Sequence, residues 1–321
     1  MLSDLKIRFR LLCNDEREPT TRQRCLRLLP EFKRRGLNVD VWDGHENCDV
    51  LIMQYFPYDV GNNLAYCDYL ICDCNDAVFM PEHPDAKVFW ENFDFIDYWA
   101  TGSKRIEQHL AKRSNDKIVS YVHEIVDPMY HKTHADTGQD INNILCMGFT
   151  DNIVFVKPLI PVLNKLHAAG HKFKLIAVYP RLNSRGEDNE DVLSSAKFKY
   201  EFIEWSPDNI CKAIKKSTIG ITPLYNNEWS RGKSANKAAT MMWCSLPVIA
   251  QDIESYHEVI EHGNSGLLAS NPAQWEECFI KMFDKQNRIK YVQNGTENVK
   301  SIFTVSAVVS EWEEIFGKVV L

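Results

Sequence analysis

Three cationic side chains, Arg231, Lys233 and Lys237, lie within seven residues, beside glycine and serine rather than acidic residues. They follow an apolar run from Ile219 to Leu224 that predicts a buried strand, and they lead into a predicted helix. A helix N-terminus offers unpaired N–H groups and a partial positive charge, so it favours an anion. The cluster therefore predicts a site for a phosphate or diphosphate. The alternative interpretation is a solvated basic loop.

Two carboxylates, Asp73 and Asp76, follow another apolar run that ends at Cys72. A carboxylate at a strand end can accept a proton from a substrate hydroxyl group, so both are candidate catalytic residues. Their close spacing is also found in metal sites, but the sequence offers too few further ligands, and we expect no metal. The alternative is that Asn75 and Asp76 only shape the turn and cap the next helix.

Two arginines, Arg22 and Arg24, stand at the beginning of a predicted helix, directly after Thr20 and Thr21. Guanidinium groups at a helix start suit an anionic part of a substrate. The alternative is a capped helix start whose arginines are exposed to solvent.

The elements that must position these residues alternate between short apolar runs and amphipathic segments. Predicted strands cover residues 6–13, 37–42, 49–53, 69–72, 118–122, 144–147, 174–179, 200–203, 219–224 and 247–250. Predicted helices cover residues 22–35, 103–112, 153–169, 207–216 and 306–319. Such alternation predicts the α/β class, with doubly wound parallel sheets.

The C-terminal half resembles the retaining GT4-like family, the glycosyl transferases group 1, whose fold is GT-B. The matching residues keep the order and spacing of the family's patterns: Lys233-Ser234, Lys237, Pro247-Val-Ile-Ala250, Asp252-Ile253, and the run from Tyr256 to Leu268. The sequence departs from the family where Thr240 replaces a glutamate and Ser245 replaces a common glycine.

The resemblance implies two Rossmann-like, doubly wound domains that face a cleft. We expect an acceptor-side domain over residues 1–130, a nucleotide-sugar domain over 131–303, and a terminal helix, 304–321, that packs back on the first domain.

The resemblance also implies roles for single residues. Ser234 and Gly148 join the three cations at the donor diphosphate. Asn236, Thr240 and Glu258 contact the nucleoside or the sugar, although a threonine cannot bridge two ribose hydroxyls as a glutamate does. On the acceptor side the implied residues are Arg22 and Arg24, with Asp73 and Asp76 in catalysis.

Composition narrows the class of protein. With 45% hydrophobic residues, 25% charged residues and a net charge of −7 in 321 residues, the chain fits a globular protein and not a general nucleic-acid binder. Neither a transmembrane segment nor a secretory signal is recognisable, and the ten cysteines lack metal-site spacing. We therefore expect a cytoplasmic protein, in the host cytoplasm if it is viral.

The resemblance implies a metal-independent glycosyltransferase that takes a nucleotide-sugar, such as a UDP- or GDP-sugar, as substrate and needs no cofactor. The resemblance implies retention at the anomeric carbon and a glycan or lipid-linked saccharide as acceptor. Three alternatives stay open at this point: a phage-type enzyme that glycosylates a hydroxymethylated DNA base, a nucleotide-sugar epimerase, and a non-catalytic nucleotide-sugar binder.

Overall fold

The computed structural model describes residues 2–114 and 117–319, which form two compact units. The first unit comprises the described residues of Met1–Asp127, Asn227–Ser234 and Ser301–Leu321. The second comprises Pro128–Asn226 and Ala235–Lys300. Residues 227–234 thus belong to the first unit although both flanking segments belong to the second.

Twelve strands are described, six in each unit. They are β1 (Lys6–Arg10), β2 (Asn38–Val41), β3 (Cys48–Gln54), β4 (Cys67–Cys74), β5 (Tyr98–Thr101), β6 (Ile118–Tyr121), β7 (Asn143–Met147), β8 (Lys174–Tyr179), β9 (Lys199–Glu204), β10 (Ile219–Thr222), β11 (Val248–Gln251) and β12 (Leu267–Ala269).

The α-helices within the described ranges are also twelve. They are α1 (Pro19–Thr21), α2 (Leu29–Arg34), α3 (Val60–Leu64), α4 (Ala86–Asn92), α5 (Lys104–Ala111), α6 (Ile160–Ala168), α7 (Pro207–Lys216), α8 (Glu228–Arg231), α9 (Asn236–Trp243), α10 (Pro272–Phe283), α11 (Lys285–Ile302) and α12 (Val305–Val319).

Each unit contains one wholly parallel sheet. The order is β2-β1-β3-β4-β5-β6 in the first unit and β12-β11-β10-β7-β8-β9 in the second. The central strands are continuous apolar runs, such as residues 50–53 and 144–147, and they are buried because helices cover both faces of the sheet. The predicted α/β class with two doubly wound sheets is therefore confirmed.

The apolar face of α12 completes the core of the first unit. The ring of Trp312 meets that of Phe9 on β1 edge-on, with 5.6 Å between centroids, and Phe316 lies 5.9 Å from Phe32 of α2. All four rings are buried. Val308, Ile315 and their neighbours at helical spacing thus have their partners in the first unit, where this helix contributes a stripe of the core.

Two predicted helices are interrupted in the structure. The segment predicted as one helix over 22–35 consists of a π-helical turn, Arg22–Leu26, followed by α2, whose first turn contains Pro30. The segment predicted over 153–169 begins as a 3-10 helix, Thr150–Leu159, and becomes α-helical only from Ile160. A proline inside a helix removes a backbone donor and clashes with the preceding turn, so Pro158 disfavours a regular α-helix in the turn before it.

All ten cysteines are free thiols. No helix in the described part of the chain is long and apolar enough to cross a membrane.

Candidate functional site

The second sheet changes winding direction between its central strands. The chain runs outward from β7 to β8 and β9, and it returns on the other side of β7 with β10. Ligands of open α/β sheets bind at the carboxyl ends of the strands, in the crevice where the winding reverses. In this unit that point lies after Met147 and Thr222, the last residues of β7 and β10.

Gly148, the first residue after β7, has no room for a side chain. A Cβ atom there would lie 2.8 Å from the Tyr179 ring and 2.9 Å from Asn152 Cβ. Its N–H donates to the Val178 carbonyl oxygen at 3.2 Å, so this amide extends the pairing of β7 with β8. The structure thus gives a packing reason for this glycine, and its predicted contact with a diphosphate stays a prediction.

Two buried polar side chains lie at the end of β11, the strand beside β10, and just after it. Gln251 ends that strand and Ser255 lies four residues later, and each is 4% exposed. Neither Gln251 Nε2 nor Ser255 Oγ has a hydrogen-bond partner in the described part of the chain. Leaving a buried polar atom unpaired costs on the order of 1–3 kcal/mol, so these atoms suit a polar ligand or water. Neither residue was among the predicted site residues, although polar side chains at the end of an apolar strand were a visible signal.

Helix α9 follows β10 in the chain and begins fourteen residues after that strand ends. Asn236 and Lys237 form its first turn and are partly exposed, whereas Thr240, one turn later, is 2% exposed. Glu258 is partly exposed at the end of a 3-10 turn, and its backbone carbonyl accepts from Asn298 Nδ2 at 3.3 Å. These positions are compatible with the predicted donor contacts of Asn236 and Lys237, while burial leaves Thr240 little surface for a ligand.

The other predicted diphosphate residues lie in the first unit, whereas the sequence-based boundaries placed them in the second domain. Lys233 Nζ forms an ion pair with Asp76 Oδ1 at 2.6 Å and lies 4.8 Å from the ring centroid of Trp229. The Trp229 ring stacks on His83, with 5.1 Å between centroids. Arg231 Nη1 lies 3.7 Å from Glu228 Oε1 within α8.

Further contacts bind residues 227–234, hereafter the basic segment, to the first unit. Ser234 Oγ donates to Glu124 Oε2 at 2.7 Å, and Ser103 Oγ donates to the Gly232 carbonyl at 2.9 Å. At Gly232 a Cβ atom would lie 3.0 Å from Ala77 Cβ, so this approach also depends on a glycine. The predicted catalytic and diphosphate residues Asp76, Lys233 and Ser234 are thereby brought together in one unit.

Arg24 and Asp73 form a buried ion pair. Arg24 Nε lies 2.9 Å from both Asp73 carboxylate oxygens, and Nη2 lies 2.5 Å from Oδ1. The two side chains are 1% and 0% exposed. Although burial opposes the guanidinium charge, the pKa of Arg24 is raised because Asp73 lies beside it. Both groups are thus occupied by each other, and the anion that Arg24 contacts is a carboxylate of the chain itself.

Arg22 is likewise buried, and its Nε donates to Asp127 Oδ2 at 2.7 Å. The interpretation of Arg22 and Arg24 as exposed arginines at a helix start is therefore wrong, because each is inserted into the interior and paired with an aspartate. Their predicted role toward a substrate anion stays a prediction.

Two glutamates at the same edge of the first sheet were not among the predicted site residues. Glu124 follows β6, and burial raises its pKa, with Asp76 and Asp73 adding to the effect. Glu18 accepts from the Thr21 N–H at 2.7 Å, and burial raises its pKa as well. Residue type and position after a strand were the signals that could have identified them.

No group of three or more histidine, cysteine, aspartate or glutamate residues within 2–114 and 117–319 could hold a metal ion. In each unit the candidate residues lie at the carboxyl edge of that unit's own sheet: Asp76, Lys233 and Ser234 in the first unit, and Gly148, Gln251 and the first turn of α9 in the second.

The family model described as glycosyl transferases group 1 matches residues 142–285, somewhat less than half of the chain. Residues 142–285 thus resemble the glycosyl transferases group 1 family. The family resemblance and the predicted class of enzyme are thereby confirmed at the level of this domain, which contains β7 to β12. A search of curated proteins finds no match.

Solved structures confirm the GT-B fold. Anabaena Alr3699/HepE in complex with UDP and glucose superposes with a TM-score of 0.71 at 13% identity, covering 98% of this chain and 99% of that one. A glycosyltransferase from Rickettsia africae gives 0.63 at 14% identity, covering 96% and 84%. A TarM variant from S. aureus, in complex with Fondaparinux, alpha-GlcNAc-glycerol and UDP, gives 0.65 at 11% identity and covers 83% of this chain. The chain spans about half of that TarM chain, 55%.

Proposed function

We propose that this protein transfers a sugar from a nucleotide-sugar donor to an acceptor hydroxyl group. The observation that carries the proposal is the carboxyl edge of the second sheet. There the winding reverses between β7 and β10, and the buried Gln251 and Ser255 each present a polar atom without a partner. This edge lies in the domain that matches the glycosyl transferases group 1 model.

The donor's diphosphate is proposed to contact Lys237 and Asn236 in the first turn of α9, where backbone N–H groups and the helix dipole favour an anion. Arg231, Lys233 and Ser234 are proposed as further diphosphate ligands. The solved structures of Alr3699/HepE and TarM contain UDP, which supports a uridine nucleotide as the first donor to test.

In the proposed reaction the bond between the sugar's anomeric carbon and the diphosphate oxygen breaks, and a bond to the acceptor oxygen forms. The acceptor's proton passes to the departing diphosphate, and the new bond retains the anomeric configuration. Side-chain cations offset the charge that develops on the leaving group, so that no metal ion is required. Asp76 stays the proposed residue for orienting the acceptor hydroxyl, since Asp73 is occupied by Arg24.

The proposed acceptor is a hydroxyl group of a glycan or a lipid-linked saccharide. The TarM structure contains Fondaparinux and alpha-GlcNAc-glycerol, and the sugar-bearing glycerol supports this class. The comparisons offer no support for the DNA alternative. Ten free thiols support a reducing compartment such as the cytoplasm.

Incubation with a panel of UDP-, GDP-, ADP- and TDP-sugars tests the proposal. Release of nucleoside diphosphate that depends on an added saccharide acceptor would support it. Isomerised donor without acceptor would indicate an epimerase, and tight donor binding without any turnover over the whole panel would indicate a non-catalytic binder. A Lys237→Ala variant serves as the control for a contaminating enzyme. If the activity belongs to this protein, the variant should bind the nucleotide more weakly and release nucleoside diphosphate more slowly, whereas a contaminant would be unaffected.

A further inference from the structure

The first unit has a concave site at the carboxyl ends of β1 and β2. This open pocket has a volume of about 460 Å³. Small-molecule sites usually measure about 300–1,000 Å³, so this volume suits a ligand of the size of one or two sugar rings. Its lining comes from the ends of β1 and β2, the loops that follow them, and the region of α3. We refer to it as the β1–β2 pocket.

An aromatic wall on one side of the pocket is held in place. The Trp42 indole is partly buried, and its Nε1 donates to the Glu46 carbonyl oxygen at 2.9 Å. The ring of Tyr66, also partly buried, lies 5.4 Å away at an interplanar angle of 60°. Such rings give an apolar surface with polar edges, which suits the mixed C–H and O–H surface of a sugar.

The pocket's cation is already neutralised. Arg10 Nη2 pairs with Asp59 Oδ2 at 3.1 Å, and its Nη1 donates to Asn63 Oδ1. Its guanidinium group also lies 4.7 Å from the ring centroid of Tyr58. A second acid, Asp43, lines the pocket as well. With one paired cation and two carboxylates, the pocket repels a phosphate or sulfate rather than attracting it.

Several polar groups of the lining remain available to a ligand. Asn14, His45 and Tyr66 line the pocket, and no side-chain hydrogen bond of theirs occurs in the described part of the chain. The Asn62 side-chain Nδ2 donates to Asp59 Oδ1 at 2.6 Å, so the Asn62 Oδ1 atom can accept a hydrogen bond from a ligand. An amide, an imidazole and a phenol can each donate or accept, as the hydroxyl groups of a sugar can.

We infer that the β1–β2 pocket binds a neutral saccharide unit. The inference rests on the proposed function, because it makes the pocket a subsite for the acceptor. β1 and β4 are separated only by β3, so the carboxyl ends of β1 and β4 lie about 10 Å apart on one edge of the sheet. Asp76 follows β4 at that edge. The acceptor is then an oligosaccharide or a glycan-bearing molecule whose more distant unit occupies the pocket.

The test measures binding of the full chain to an array of neutral oligosaccharides built from gluco-, galacto- and manno-configured units, with sulfated oligosaccharides on the same array. The double variant Asn14→Ala/His45→Ala removes two exposed polar groups of the pocket. Its matched control, His134→Ala/Gln286→Ala, removes an exposed histidine and an exposed amide from the second unit. Both variants should fold normally, since surface substitutions cost little stability.

We expect wild type and control to bind at least one neutral oligosaccharide, and the pocket variant to bind it about tenfold or more weakly, as two lost hydrogen bonds predict. Equal binding by the pocket variant would overturn the inference, and so would a wild type that binds only sulfated oligosaccharides or none on the array.

A thermal-shift titration with UDP and GDP on the same three proteins separates this inference from the proposed function. If a nucleotide stabilises all three proteins equally while the pocket variant binds saccharide as tightly as wild type, only the inference about the subsite is wrong. If no nucleotide binds but the pocket variant loses saccharide binding, the pocket stands as a saccharide site and the transferase proposal is wrong.

Discussion

Lys233 Nζ lies 2.6 Å from Asp76 Oδ1, so a residue predicted to bind the donor diphosphate and a residue predicted to act in catalysis are paired with each other. Their side chains are 25% and 20% exposed. An ion pair with this much solvent contact contributes only about 0–1 kcal/mol, so it can open at little cost. A diphosphate carries more negative charge than one carboxylate, and we propose that it would draw Lys233 away from Asp76.

The first prediction concerns this exchange. In Asp76→Asn, Lys233 loses its competing anion, and we expect the Kd for UDP in calorimetry to tighten several-fold. In Lys233→Met the Kd should weaken by about tenfold, and the double variant should behave like Lys233→Met. Asp68→Asn, an exposed aspartate on β4, is the control. An unchanged Kd in Asp76→Asn would show that Lys233 does not exchange partners.

The second prediction concerns the second unit alone. Lys237→Ala removes a cation from the first turn of α9 and should weaken UDP binding by at least about tenfold, since charge-assisted contacts to phosphate contribute on the order of 1.5–3 kcal/mol. Lys197→Ala, an exposed lysine elsewhere in that unit, should leave the Kd unchanged. Equal affinities in the two variants would remove Lys237 from the donor site.

The third prediction concerns stability. Removing one partner of a buried pair leaves an uncompensated charge, so Arg24→Leu should lower the free energy of unfolding by about 3–5 kcal/mol. Arg17→Leu breaks an exposed pair with Asp15 and should cost less than about 1 kcal/mol. Urea unfolding measures both changes. A loss below about 1 kcal/mol in Arg24→Leu would contradict the burial of this pair.

Local sequence patterns were sufficient to predict the α/β class and most of the strands, because a parallel strand covered on both faces must be a short apolar run. The helix break after Leu26 and the 3-10 segment that contains Pro158 were harder to predict, because the apolar spacing of both segments also fits one continuous helix. The partners of the charged residues could not be predicted at all. Arg24 meets Asp73 and Lys233 meets Asp76 across long sequence separations that only the fold determines.

It was equally impossible to predict from the sequence that the basic segment belongs to the first unit. Nothing in the local sequence shows that residues 227–234 contact the first unit, because those contacts depend on Ser103, Glu124 and His83, which are far away in the chain. A family pattern transfers residue types and spacing, but it does not transfer such partners.

The fourth prediction is a pH dependence. The folded-state pKa of Glu124 is raised above its ordinary value of 4.5, chiefly by burial and then by Asp76 and Asp73, against the opposing effects of Arg24 and Ser234. Its stabilising contribution is therefore complete below about pH 4.5 and is lost as the pH rises through the raised pKa.

Glu124→Gln removes this titration, so its free energy of unfolding should fall less than that of wild type between pH 4.5 and 7. Urea unfolding across this range measures the difference. Glu297→Gln, whose side chain is 85% exposed, should keep the wild-type profile. A Glu124→Gln profile parallel to that of wild type would mean that the pKa of Glu124 is the same in the folded and unfolded chain.

The fifth prediction separates packing from ligand binding at Gly148. A Cβ atom there would lie only 2.8 Å from the Tyr179 ring, and Tyr179 is 2% exposed, so neither group can move freely. Gly148→Ala should therefore lower the free energy of unfolding by about 1–3 kcal/mol. Gly317→Ala in α12, where a Cβ atom has nothing within 4 Å, should leave stability unchanged or raise it by up to about 1 kcal/mol.

The affinity of the Gly148→Ala variant for UDP then shows whether Gly148 contributes to donor binding. If the turn after β7 only supports the sheet, Gly148→Ala loses stability while the folded protein keeps its affinity for UDP. If the backbone there approaches the diphosphate, the Kd weakens by about tenfold even at a temperature where the variant is fully folded. Calorimetry on the folded variant distinguishes the two, and we expect the second outcome because β7 and β10 border the point where the winding reverses.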